Sequence, residues 1–233
     1  MQQQRHINQA YDEDMKSLVI KLGRMFAHVE NMLDEATDAL QKMDIAKAKK
    51  TRKLDKEIDA LDAEISEQIM DILARWNPVA IDLRLIISAL RVASALERMG
   101  DYTSNICRRI VRIIENDKND HPYETPILTK MFKQTREMIK LAGDGFLNNT
   151  SEECRHIIEM DDLLDQYHSN LLEELTTYMM EESKNVSVGV EMLMISKSLE
   201  RIGDHATNVA EMIIYFLEAT SFVSRHPVGE DDD

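Results

Sequence analysis

Four pairs of an acid and an Asp four residues later stand out in this chain: Asp55 and Asp59, Glu97 and Asp101, Asp161 and Asp165, Glu200 and Asp204. On a helix, positions i and i+4 share a face with Cβ atoms about 5–6 Å apart, and like charges there repel. Such a pair becomes useful when a cation neutralises it. Two pairs on antiparallel neighbours, Asp55/Asp59 opposite Glu97/Asp101, would surround one ion with hard oxygens, a donor set suited to Mg²⁺, Ca²⁺, Mn²⁺ or oxidised iron. The competing explanation is a solvated acidic face neutralised locally by Arg52, Lys56, Arg98 and Arg201.

What favours a built site is repetition. The segment Leu96-Glu97-Arg98-Met99-Gly100-Asp101-Tyr102-Thr103-Ser104-Asn105 returns as Leu199-Glu200-Arg201-Ile202-Gly203-Asp204-His205-Ala206-Thr207-Asn208. The kept residues are mainly the polar ones. A repeated apolar pattern would report only two buried faces, whereas repeated charges report one chemical site made twice. Asn105 and Asn208, one turn further along, are candidates for oxygen contacts behind or at the ion, or for ordinary interhelical hydrogen bonds. Arg98 and Arg201 are candidates for the same outer layer or for contact with a partner. Gly100 and Gly203 each cost a helix roughly 1 kcal/mol against Ala, so something must approach closely there, whether a helix or a ligand.

Other chemistries fail on spacing. A di-iron bundle uses Glu-x-x-His at i, i+3, but Glu200 to His205 is i, i+5, and Tyr102 stands at the first-copy position. No His-Glu-x-x-His, phosphate-cradling glycine loop or activated Ser or Cys setting is present. Cys107 and Cys154 fit neither a zinc spacing nor a disulfide framework, which suits a reducing compartment. The net charge of −15 argues against nucleic acid and anionic membrane as direct partners.

The elements that carry these residues are helices. Only 7 Gly and 4 Pro punctuate 233 residues, and the prolines sit at seams: Pro78, Pro122, Pro126 and Pro227. Leu18, Leu22, Met25, Val29, Met32, Leu33, Ala36 and Leu40 step by three and four, one helical stripe. The pattern predicts helices over about 10–42, 45–76 and 79–115, then 124–148, 151–183 and 186–219. Met43-Asp44 is read as a turn, and Trp76 as a plug at a helix end. The expected fold is all-α, two tandem three-helix bundles of six long helices. Residues 1–118 form the first repeat, 124–219 the second, and 220–233 an acidic tail expected to be disordered. The N-terminus has no apolar signal stretch, and Arg84 and Arg91 interrupt the most apolar helix, so neither secretion nor membrane insertion is expected.

The run Asn77-Pro78-Val79-Ala80-Ile81-Asp82-Leu83-Arg84-Leu85-Ile86-Ile87, leading into Leu96-Glu97-Arg98-Met99-Gly100-Asp101, resembles the bacterial PhoU family. So does Leu175-Thr176-Thr177-Tyr178-Met179-Met180-Glu181 leading into Leu199-Glu200-Arg201-Ile202-Gly203-Asp204, and the resemblance spans essentially the whole chain. It implies two three-helix bundles, a cytoplasmic location peripheral to the inner membrane, and a homodimer. It implies metal at Asp55, Asp59, Glu97 and Asp101 and at Asp161, Asp165, Glu200 and Asp204, multinuclear iron in the first place, with zinc, manganese, magnesium or calcium as alternatives. It further implies a non-enzymatic negative regulator of phosphate uptake and of the phosphate-starvation response, acting by contact with the ATPase subunit of the phosphate ABC transporter and with a sensor histidine kinase. The rival is a metal-storage or metal-dependent hydrolytic protein built on the same carboxylates. Because Tyr102 and His205 differ, the two sites need not bind metal equally.

Overall fold

In the computed structural model, residues 2–116 and 125–218 are described. The expected all-α fold is present. The first bundle comprises α1 (Gln2–Gln41), a short α2 (Ile45–Thr51), α3 (Asp55–Trp76) and α4 (Ala80–Asn116). The second comprises α5 (Pro126–Asn148), α6 (Glu152–Glu181) and α7 (Asn185–Glu218). At 1.5 Å per residue, α1 is about 60 Å long. The acidic tail expected to be disordered lies outside the described residues.

The apolar stripe of α1 is the core face: Leu18, Leu22, Met25, Val29, Met32, Leu33 and Ala36 are fully buried. The final expected step fails, since Ala39 is buried while Leu40 is only partly so. The helix also begins earlier than periodicity indicates. Residues 2–9 are rich in Gln, which favours helix without marking a face.

One expected helix is broken. The run 45–76 divides into α2, a 3-10 turn at Arg52–Leu54, and α3. The cause is legible in the charges. Asp44 caps α2 by accepting from the Lys47 amide at 2.9 Å, and Lys49 and Lys50 occupy its last turn. Asp55 and Glu57 then fill the first turn of α3. Basic residues at a helix end and acidic ones at the next start are each favoured by the helix dipole, so a new start is marked at Asp55.

Three turns carry a residue at positive φ: Met43 after α1, Asn77 after α3 and Asn149 after α5. The asparagines end α3 and α5 in the left-handed conformation that Asn tolerates. Trp76 does close a helix end. It meets the Tyr11 ring edge-on at 6.0 Å, and its Nε1–H donates to Asp14 at 2.9 Å.

The two bundles are joined through α1 against α5 and through the most extensive pair, α4 against α7. Both pairs run antiparallel. On α5, Arg136 reaches Glu30 and Asp34 of α1 at 3.0 and 2.6 Å. Arg109 and Arg112 near the end of α4 both reach Glu191 near the start of α7, at 2.9 and 3.3 Å. Midway, Tyr102 meets His205. Those are equivalent positions of the two repeats, so a pseudo-two-fold relation passes between them. No described helix is long and apolar enough to cross a membrane.

Candidate functional site

Asp55 and Asp59 lie on the first turns of α3, and Glu97 and Asp101 on the middle of α4, so the crossing of these helices gathers all four acids. Gly100 makes that crossing close. A Cβ there would stand 2.9 Å from Ile58 Cδ1 and 3.3 Å from Asp55 Oδ1. The second bundle repeats the arrangement: a Cβ on Gly203 would stand 3.2 Å from Asp161 Oδ1 and closer still to Leu164 Cδ2. Of the reasons a glycine could be kept mid-helix, close helix packing is the one found, and in both repeats the packed helix brings an aspartate with it.

The electrostatics of the first cluster are those of crowded, partly dehydrated carboxylates. Burial raises the Asp55 carboxyl above its ordinary range, and the charges of Asp101 and Asp59 add to the rise, while the Ser104 hydroxyl and Arg52 oppose it. Burial raises Glu97 as well, with Asp101, Asp62 and Asp59 adding and Arg98 opposing. Burial and then Asp59 raise Asp62. Each group holds its proton more tightly because burial disfavours the anion and the neighbouring carboxylates repel it. The Asp55 Oδ1 atom is buried without a hydrogen-bond partner.

Asp62 is a member that the acid-x3-Asp pattern missed. It falls three residues after Asp59 and seven after Asp55, on the same helix face. The step that takes Asp55 to Asp161 takes Asp62 to His168, whose Nδ1 lies 2.6 Å from Ser196 Oγ. The two repeats therefore differ at this corner.

They differ also in counter-charge. In the second bundle Lys197 pairs with Glu200, and Arg201 pairs with Asp204 at 3.2 Å. Asp161 is only 6% exposed. In the first bundle Arg98 approaches Glu97 at 3.7 Å, a loose contact. The first cluster thus keeps more unbalanced negative charge than the second.

Among the described residues, no three His, Cys, Asp or Glu side chains converge so as to hold an ion as they stand. Hard oxygen donors, desolvation and mutual repulsion in the first cluster suit a divalent cation chemically, and capture there requires side-chain rotation. The outer residues are less suited. Asn105 accepts from Arg108 on its own helix, and Asn208 is buried. Arg98 and Arg201 are exposed.

Tyr102 and His205 do not flank the acid clusters. Their rings meet across the bundle boundary with centroids 5.8 Å apart. Burial, with the charges of Arg98 and Arg201, lowers the His205 imidazole to about 4. It stays neutral near pH 7.

Comparison with known proteins agrees with the internal repeat. A family model described as the PhoU domain matches the chain twice, over residues 22–110 and 128–213. A relative from Zymomonas mobilis, called a phosphate-specific transport system accessory protein PhoU homolog, is 36% identical over 97% of this chain and 94% of its own. The Escherichia coli K12 protein, called phosphate-specific transport system accessory protein PhoU, is 29% identical over 98% and 93%. The crystal structure of PhoU from Pseudomonas aeruginosa superposes with a TM-score of 0.85 at 32% identity, covering 90% of this chain and 100% of that one.

Proposed function

We propose, for a chain that belongs to the PhoU family, that this protein is an accessory regulator of phosphate uptake. It holds the transporter and the phosphate-starvation response in the off state when phosphate is plentiful. The observation that supports this most is the duplication of Glu-Arg-x-Gly-Asp on α4 and α7, each copy presenting an exposed arginine beside a carboxylate cluster. Regulation passes by contact, with the ATPase subunit of the phosphate ABC transporter and a sensor histidine kinase as partners. The protein acts in the cytoplasm, at the inner face of the membrane, as a homodimer.

Metal is part of this proposal. Asp55, Asp59, Asp62, Glu97 and Asp101 would hold a cation in the first bundle. Asp161, Asp165, Glu200 and Asp204 would do so in the second, more weakly because Lys197 and Arg201 already balance two of them. Iron is the first candidate, with zinc, manganese, magnesium and calcium behind it. A bound cation would supply charge neutralisation and bring α3 against α4. The chain's own residues orient Asp55 over Gly100 and keep the neighbouring carboxylates partly dehydrated. Elemental analysis of protein purified without chelator tests the metal, and a phosphate-starvation reporter in a deletion strain tests the regulation. A reporter that stays silent in high phosphate without this chain overturns the regulatory reading.

A further inference from the structure

We propose that His168 gives the second acid cluster a nitrogen donor, so that the two repeats sort metals. Zinc or ferrous iron suits the second bundle, and harder cations such as Mn²⁺ or Mg²⁺ suit the first. The inference rests on the reading that the clusters hold cations, and adds which cation each prefers.

The ground is one unlike pair at equivalent positions. Asp161, Asp165 and His168 repeat the spacing of Asp55, Asp59 and Asp62. The charge of Asp62 acts on Glu97, and that of Asp59 acts on Asp62, so this position belongs to its cluster. His168 stands to Asp165 and Glu200 as Asp62 stands to Asp59 and Glu97, on the face of α6 that carries Asp161 and Asp165. The first cluster therefore offers carboxylate oxygen alone, whereas in the second an imidazole takes the place of one carboxylate.

The ring is held as a metal-binding histidine is held. Its Nδ1 lies 2.6 Å from the Oγ of Ser196, a fully buried residue of α7. Ser196 directs its own proton to Met131 Sδ at 3.3 Å, which places its oxygen to accept from Nδ1–H. That bond fixes the tautomer and leaves the lone pair on Nε2. The two ring nitrogens point apart, so with Nδ1 turned to a buried serine, Nε2 faces away from it. A hydrogen bond to the other ring nitrogen is the support that ligating histidines ordinarily have, and it raises their basicity. The first repeat has Ala93 at the position of Ser196, so the histidine and the serine that holds it occur together. Capture requires the carboxylates to turn, while the ring is already fixed.

Counter-charge points the same way. Lys197 and Arg201 already pair with Glu200 and Asp204, which weakens a site that relies on negative charge alone. A neutral imidazole keeps its donor strength beside those cations.

The test uses the full chain, freed of metal with chelator, its histidine rings labelled with ¹⁵N and ¹³C. One equivalent of Zn²⁺ should shift the His168 ring signals to an Nε2-bound pattern and leave those of His156 and His205 in place. Competition with a metal indicator then gives the preference for Zn²⁺ over Mn²⁺. His168→Asp, which places the first repeat's residue there, should weaken zinc by about tenfold or more with little change for Mn²⁺, and Ser196→Ala should weaken zinc by about tenfold. Asp62→His should raise zinc affinity at the first cluster, a gain that misfolding cannot produce. Zinc bound with the His168 ring unmoved, or with unchanged affinity in His168→Asp, overturns the inference and leaves the metal reading standing. Uptake of neither Zn²⁺ nor Mn²⁺ by the parent overturns both.

Discussion

Tyr102 and His205, equivalent positions of the two repeats, face each other across the boundary with ring centroids 5.8 Å apart and planes inclined by 33°. A position where the duplicated segment changes chemistry is thus the place where its two copies meet. At a pseudo-two-fold, identical residues must pack against themselves, and a Tyr–His pair avoids placing two imidazoles or two phenols in that position. The substitution serves the joint between the bundles.

The neutral imidazole at that joint makes folding sensitive to acid. His205 titrates at about 4 in the folded chain against about 6.5 when unfolded, so the unfolded state binds the extra proton first. Stability from this group is full above about pH 6.5 and is lost as pH falls towards 4. Arg98 and Arg201 oppose protonation in the same direction as burial. Urea unfolding of the parent should lose about 2–3 kcal/mol across this window relative to His205→Phe. Parallel pH profiles for the two proteins would contradict the assignment, as would a His205 ring resonance titrating near 6.5.

The first acid cluster works in the opposite sense. Asp55, Asp62 and Glu97 bind protons more tightly folded than unfolded, so ionising them costs stability as pH rises through their raised values, and mild acid relieves it. At neutral pH and low salt, Asp59→Asn or Asp62→Asn should therefore stabilise the apo protein, by about 0.2–0.5 kcal/mol for each repulsion removed. Added divalent cation should reverse the order, raising the melting temperature of the parent more than that of either variant. Thermal scans with and without Mn²⁺ check this. A variant less stable than the parent in chelator would show that these acids are not a repelling cluster.

If both repeats hold metal, Glu97→Ala with Asp101→Ala should remove the first site and leave the second, lowering bound metal by about half when the sites are independent. The ion pairs of Lys197 and Arg201 weaken the second site, so the loss should exceed half at limiting metal. Metal content indifferent to this double change would remove the first cluster from the account.

The glycines give a packing prediction. Alanine at either position gains about 1 kcal/mol in helix propensity but must displace a neighbour, and overpacking costs about 1–3 kcal/mol. At Gly100 the close atom is the free end of Ile58, which can turn aside. At Gly203 the new methyl also meets Met138 Cε at 3.6 Å and sits nearer Leu164. Gly203→Ala should destabilise by about 1–2 kcal/mol and Gly100→Ala by less, as read from denaturant midpoints. The reverse order would mean that the two crossings are not packed as described.

Much of this architecture could be read from residue order. The stripe from Leu18 to Ala36 named the buried face of α1, and the doubled Glu-Arg-x-Gly-Asp located the two equivalent helix crossings. The break at Arg52–Leu54 was hidden because the three-and-four stepping of inward positions continues through it at Ala48, Thr51, Leu54 and Ile58, and only the switch from Lys49 and Lys50 to Asp55 and Glu57 marks a new start. Asp62 was hidden by the search for i, i+4 pairs, since it joins through i, i+3 and i, i+7. The difference in counter-charge between the clusters was also out of reach. Lys197 has Ser94 as its first-repeat counterpart, and an ion pair between flexible side chains depends on rotamers that no spacing fixes.

The functional prediction rests on Arg98 and Arg201. Both are exposed, on the helices that carry the repeated motif, and among the described residues Arg98 is held by a loose contact with Glu97 at 3.7 Å. A guanidinium free to turn outward can pair with a carboxylate on a partner, and reversing its sign replaces attraction by repulsion. Arg98→Glu should therefore weaken repression of a phosphate-starvation reporter in high phosphate. The fold should be nearly untouched, since surface changes usually cost under about 0.5 kcal/mol. Arg201→Glu faces Asp204 at 3.2 Å in the parent, so it should cost more stability and needs the melting temperature measured beside the reporter. Deletion sets the upper limit: the reporter should come fully on and phosphate uptake should run unchecked. If Arg98→Glu represses as well as the parent while the deletion derepresses, the regulatory role stands but this face is not where the partner binds.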